Sequence, residues 1–300
     1  MSRVIIVIGT GRSGTSWIHD VMSAHHNYRR IFEPLHPDQV ASMSEFSGLY
    51  LDETDNNPRL KEYLDCVFHH RTNDAWISWL HMGISKHTPL LRKMIQHVSN
   101  LHQVKVFAAN RVVKFIQANM MISWLVENFR YQIVFVIRNP YSTIQSQLHM
   151  GWSHDLAPYL VQNKLRGKVL SEPLIRYVES LQSVTERLAA RWCIENIVAI
   201  KDIQRLDGAV IPVTYEYLSN FENLLLLLTK LNYSQKEISI IKKRILIRER
   251  LRSSKRKSTS GASITPQQRK NIQDVLCMFG IVSYENLTRD FNKLELKSLI

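Results

Sequence analysis

No apolar run in this sequence approaches the roughly 20 residues that a membrane-spanning helix needs. The first apolar stretch begins right after Arg3, which leaves no room for a leader peptide ahead of it. Cysteine is scarce: three residues, at 66, 193 and 277, with no CxxC pair and no even framework. That usage fits a reducing compartment and predicts three small, buried apolar side chains. The twelve histidines show no spacing of the His-x-Glu-x-x-His kind, so none is assigned to a metal. Internal repeats are absent as well. The expectation is a soluble cytoplasmic protein with no membrane span and no metal.

Negative charge is also in short supply. Against 39 Lys and Arg stand 26 Asp and Glu, a net charge of +13 in 300 residues. An excess of that size calls for an anionic partner, either a phosphorylated small molecule or a nucleic acid. The length suits one large α/β domain, 1–300. Strand-like runs near 3–8, 28–32, 111–115, 132–137 and 210–215 alternate with helical patterns. That alternation predicts a three-layer α/β/α fold with a central parallel sheet.

The richest stretch is the opening. Val4 to Ile8, five β-branched residues in a row, read as a fully buried parallel strand. It runs directly into Gly9-Thr10-Gly11-Arg12-Ser13-Gly14-Thr15-Ser16-Trp17. Glycines at 9, 11 and 14 let backbone N–H groups converge, and the following helix adds the positive end of its dipole. Arg12 with the hydroxyls of Ser13, Thr15 and Ser16 makes a loop suited to an anion.

Three kinds of nucleotide site begin this way. Read as Gly9-x-x-x-x-Gly14-x-Ser16, the loop approaches a Walker A sequence, but Thr15 stands where the phosphate-binding lysine belongs. Read as Gly9-x-Gly11-x-x-Gly14 with Glu33 at the end of a second strand, it satisfies the dinucleotide fingerprint, and an NAD(P)-dependent oxidoreductase is one alternative. Read as the unit Arg12-Ser13-Gly14-Thr15-Ser16-Trp17, it resembles the loop by which sulfotransferases hold the 5′-phosphosulfate of their donor, at all six positions.

Further segments carry the same resemblance. Tyr131 to Ile137 is a second buried strand, followed by Arg138, by Asn139 as a helix N-cap and by Pro140 at the first helical position. Ser142 and Ser146 share a face of that helix, although Ser142 reads as an ordinary first-turn serine. Arg138 with Ser146 resembles the sulfotransferase site for the donor's 3′-phosphate. Val210 to Leu218 is similar to the family's late strand, with Tyr217 in place of an Asp, and Phe32-Glu33-Pro34-Leu35 resembles carbohydrate-type members. Residues 112–125 look like the strand and helix that precede the 3′-phosphate strand in bacterial-type members.

The resemblance implies a P-loop-type nucleotide fold and 3′-phosphoadenosine 5′-phosphosulfate as co-substrate. It implies a sulfuryl transfer to a hydroxyl or amine of a small-molecule, glycolipid or carbohydrate acceptor. Gly11, Arg12, Ser13, Gly14, Thr15, Ser16, Trp17, Arg138 and Ser146 would bind the donor, with Arg12 catalytic. Glu33 would be the base, with His36 in reserve, because the histidine that cytosolic members carry after the strand ending Lys114-Phe115 is missing. The basic run Lys255, Arg256 and Lys257 would close over the 3′-phosphate, although the family's Arg-Lys-Gly form is absent. The insertion 40–103, with His69, His70, Trp76, Trp79 and His81, would cap the acceptor pocket, although packing is the plainer reading of that cluster. From 242 to 257 the chain reads as a basic helix running into a loop, and Thr265 with Gln268 as the capping box of the last helix. A non-catalytic nucleotide- or nucleic-acid-binding protein is the second alternative. It would use the positive charge and lose affinity steeply with salt.

Overall fold

The computed structural model describes residues 2–69, 71–72, 76–77, 108–206, 208–253 and 263–294, with the backbone alone described over 247–253. Five strands form one parallel sheet: β1 (Val4–Ile8), β2 (Tyr28–Phe32), β3 (Asn110–Phe115), β4 (Gln132–Ile137) and β5 (Val210–Thr214). Their order across the sheet is β2-β3-β1-β4-β5. All four pairings are parallel, and Ile8 lies level with both Phe115 and Phe135. The carboxyl ends of the strands therefore gather their loops along one edge, where open α/β sheets bind ligands.

The sequence shows why the sheet is covered on both sides. Along β1 the pleat sends Val4, Ile6 and Ile8 into one apolar cluster and Ile5 and Val7 into the other. Every residue of the strand is buried. A β-branched run with no polar break suits only such a strand. One face packs against α1 (Thr15–Met22), α7 (Phe221–Lys230) and the first half of α8 (Gln235–Ser253), through Ile18, Leu227 and Ile241. The other packs against α2 (Pro58–Phe68), α3 (Ile122–Phe129), α4 (Pro140–His149), α6 (Val184–Arg205) and α9 (Pro266–Met278).

The strands predicted from the sequence agree with the observed ones to within a residue at each end. The leucine-rich stretch 224–228 is a core helix, with Leu224, Leu227 and Leu228 buried. The capping box of Thr265 and Gln268 forms as expected. The cysteine expectation needs correction: Cys193 is buried, but Cys66 is half-buried and Cys277 exposed. Cys277 lies near the end of amphipathic α9, whose core face is filled by Ile272, Val275 and Leu276. Among the described residues, no helix is long and apolar enough to cross a membrane.

Candidate functional site

Two strand-to-helix joints meet at the carboxyl edge. The first follows β1. Gly14 caps α1 in the left-handed conformation, φ 95°, and no side chain caps the helix. Ser13 N donates to Thr10 O at 3.0 Å, whereas the amides of Gly14, Thr15 and Ser16 donate to no group among the described residues. These are donors that an uncapped helix start leaves for a ligand. The glycines are fixed by close approach. An added Cβ at Gly9 would strike Val136 O, one at Gly11 would lie 2.6 Å from the Trp152 ring, and one at Gly14 would enter the Tyr215 ring.

Between those glycines Arg12 takes φ 74°, a conformation costly for a residue with a side chain and held only where the surroundings enforce it. The surroundings here are identifiable. Gln147 Nε2 donates to Gly11 O at 2.8 Å, and Thr10 Oγ1 accepts from Asn119 Nδ2 at 3.2 Å and from Asn196 Nδ2 at 3.0 Å. Arg12 is exposed and its Nε donates to Ser146 Oγ at 3.0 Å, while its terminal nitrogens bond to nothing among the described residues.

The second joint follows β4. Asn139 caps α4 by accepting from the amides of Tyr141 and Ser142, with Pro140 at the first position. Its helix start is thus closed, and it contributes side chains instead. Arg138 Nη1 donates to Arg12 O at 3.2 Å, and its guanidinium lies 4.7 Å from the centroid of the Tyr215 ring. Its Nε is buried without a partner. Tyr215 also meets Trp17 edge-on at 5.9 Å. Arg12, Arg138 and Ser146, far apart in sequence, are therefore in one cluster. Ser13 Oγ is buried and unpartnered and Thr15 is buried beneath the turn, while Ser16 is exposed.

Glu33 ends the second strand at φ 39°, and its carboxylate forms a buried ion pair with Lys114 of β3. Lys114 Nζ also donates to Ser16 Oγ at 2.7 Å and lies 4.3 Å from the Phe32 ring centroid. Burial pulls its ammonium below the usual lysine value, against the attraction of Glu33. Among the described residues the hydrogen bond to the Glu33 carboxylate falls on Oε1. His36 is half-buried against Trp76, centroids 4.8 Å apart, and its Nδ1 accepts from Asp38 N at 3.3 Å. With that lone pair engaged, the neutral ring carries its proton on Nε2.

Sequence reasoning did not single out Lys114, and it overlooked Tyr215, Trp152, Gln147, Asn119 and Asn196. A lysine inside the run Val112-Val113-Lys114-Phe115 was the available signal, because a cation in a buried strand needs a partner. The others come to the loop through tertiary contact alone. Lys255, Arg256 and Lys257 lie outside the described residues, as do His70, Trp79 and His81.

Fold and site together define a parallel α/β protein with a cationic anion cradle at the carboxyl edge of its sheet. A sequence profile described as the sulfotransferase family matches residues 4–218, and the chain belongs to that family. Among solved structures it is similar to the sulfotransferase domain from the curacin biosynthetic pathway, at 16% identity and a TM-score of 0.39, over 79% of this chain and 77% of that one. It is also similar to mouse sulfotransferase SULT7A1 complexed with PAP, at 13% identity and a TM-score of 0.35, over 97% of this chain and 82% of that one. No curated protein matches the sequence.

Proposed function

We propose that the chain transfers a sulfuryl group from 3′-phosphoadenosine 5′-phosphosulfate to a hydroxyl or amine of a small-molecule, glycolipid or carbohydrate acceptor. The observation that carries this reading is the meeting of Arg12, Arg138 and Ser146 at a strand-helix turn that no side chain caps. Donors with nothing to donate to suit a polyanion: Ser13 Oγ and Arg138 Nε are buried without partners, and the terminal nitrogens of Arg12 bond to nothing among the described residues. A donor with phosphate at both ends of its ribose supplies acceptors for all of them.

In this reading each residue has a task. The amides of Gly14, Thr15 and Ser16 with the Ser13 hydroxyl hold the 5′-phosphate, and Trp17 flanks them. Arg138 takes the 3′-phosphate. Ser146 accepts from Arg12 and keeps its own hydroxyl proton for the same phosphate, which links the two ends of the donor. The bond from sulfur to the acceptor oxygen or nitrogen forms as the bond from sulfur to the bridging phosphate oxygen breaks. The electron pair stays on that oxygen. Arg12, helped by Lys114 through its place beside Ser16, stabilises the charge that develops there. Glu33 Oε2 takes the acceptor's proton, with Lys114 fixing the carboxylate from the other side. Asp38 N already occupies the lone pair that His36 would need, so Glu33 is preferred. No step calls for a metal, and closure by Lys255, Arg256 and Lys257 remains part of the proposal.

The oxidoreductase alternative gives Arg138 and Ser146 nothing to do, and the family match does not favour it. The test is transfer of labelled sulfate from the donor to a panel of phenols, alcohols, amines and sugars. We expect product with the wild type and about a hundred- to a thousandfold slower formation with Arg12→Ala. Turnover at the normal rate by Arg12→Ala would overturn the mechanism.

A further inference from the structure

We propose that Arg29 and Arg111 form a second anion site, for a divalent tetrahedral oxyanion of the sulfate or phosphate type. The site lies at the opposite ends of the strands from the donor loop and on the other face of the sheet. The two arginines are register partners on adjacent parallel strands, Arg29 on β2 opposite Arg111 on β3. Their side chains therefore lie side by side, on the face that Ile31 and Val113 share with α2. Lys114 occupies the alternate position on β3, so the pleat points it to the α1 face.

Like charges directly opposite each other repel, and no acid among the described residues pairs with either of them. Arg29 is 4% exposed, and its Nε and Nη1 have no partner; nor has Arg111 Nε. The single bond recorded for either guanidinium runs from Arg111 Nη1 to Ala109 O at 2.8 Å. No carboxylate among the described residues pairs with them. Asp65, on the neighbouring helix α2, is already taken by Arg71 and His69. Between α2 and β3 the sequence holds one acid, Asp74, which lies outside the described residues. Burial and the neighbouring guanidinium hold Arg29 down to about 10, and burial lowers Arg111 too.

A buried and a half-buried guanidinium presenting three orphan N–H nitrogens ask for an acceptor with several oxygens and two negative charges. The planar fork of arginine matches a tetrahedral oxyanion in both respects. A carboxylate would neutralise only one of the pair. Access is from the Arg111 side, which is half-exposed, whereas Arg29 forms the floor.

The experiment is equilibrium dialysis of labelled inorganic sulfate at constant ionic strength in chloride, with the donor loop filled by excess adenosine 3′,5′-bisphosphate. The full chain should retain one equivalent of sulfate. Competition by inorganic phosphate or by methyl phosphate separates a site for the free ion from one for an ester-borne group, and acetate should not compete. Arg29→Gln and Arg111→Gln should each weaken retention by about tenfold or more while binding the bisphosphate normally, which also shows that they fold. No retained sulfate and no competition-sensitive phosphate ester in the wild type would overturn the proposal. Equal retention by both variants would do the same. Should the bisphosphate itself fail to bind, the donor reading falls, yet the difference between wild type and Arg29→Gln still decides this site.

Discussion

The two strand-helix joints at the carboxyl edge are built in opposite ways. After β4, Asn139 satisfies the first amides of α4 and Pro140 removes another donor. After β1, a left-handed glycine replaces the capping side chain, and the first amides of α1 bond to nothing among the described residues. One joint is finished by its own sequence, and in the proposed reading the other is completed by the donor. The lesson is that a helix start tells its purpose by who caps it. The finished joint still serves the open one, since Arg138 and Ser146 both reach across to Arg12.

Substitutions test this contrast from the larger effects to the smaller. Arg12→Ala should lower kcat by about a hundred- to a thousandfold, the loss expected for one donor to a developing oxyanion, and calorimetry should still detect nucleotide binding. Lys114→Met leaves the buried Glu33 carboxylate unpaired and should cost about 3 kcal/mol in denaturant unfolding. The double variant with Glu33→Gln should recover most of that stability but not the activity. Gly14→Ala combines a φ of 95° with a collision into Tyr215 and should cost about 2 kcal/mol together with bisphosphate binding. At Gly151, φ 68° with open space around it, the same change should cost about 1 kcal/mol and leave binding intact.

Asn139→Ala sharpens the contrast from the other side. Losing a cap should cost about 1 kcal/mol yet leave bisphosphate affinity unchanged, because those amides are not the ones offered to the donor. The smallest effect concerns the segment that covers Gly11. His154 packs edge-on against Trp152 at 5.8 Å and lies against Arg191. Burial and Arg191 hold it down to about 4. Its folded value is thus below its unfolded value near 6.5, so the unfolded chain binds the proton first. The stabilising contribution is complete above about pH 6.5 and is lost as pH falls toward 4, by under about 1 kcal/mol given the partial exposure of the ring. Thermal unfolding across that range should show this slope in the wild type and a flatter one in His154→Gln.

Much of this was legible in the sequence, for reasons of physics. The strands were readable because a β-branched run with no polar break has one comfortable home. The cap at Asn139-Pro140 and the box at Thr265-Gln268 were readable because capping is local. The open helix start after β1 was readable because glycine spacing and hydroxyl chemistry coincide within nine residues. What could not be read was whatever the fold assembles from afar. Lys114 lies 98 positions from Ser16 and 81 from Glu33, and Asn196 lies 186 from Thr10. Glu33 was found as a lone acid at a strand end, and its pairing with Lys114 alters what it can do. Cys277 was misjudged because three cysteines were treated alike, although the helical face on which each falls decides its burial.

The most direct test is thermal unfolding with adenosine 3′,5′-bisphosphate beside adenosine 5′-monophosphate and NADP. A ligand at about 100 times its dissociation constant adds roughly 2.7 kcal/mol of stability. The account predicts a clear rise with the bisphosphate, a much smaller one with the monophosphate and no comparable rise with NADP. It also predicts that Arg138→Ala makes the bisphosphate behave like the monophosphate. A rise with NADP alone, or no rise with any nucleotide, would contradict it.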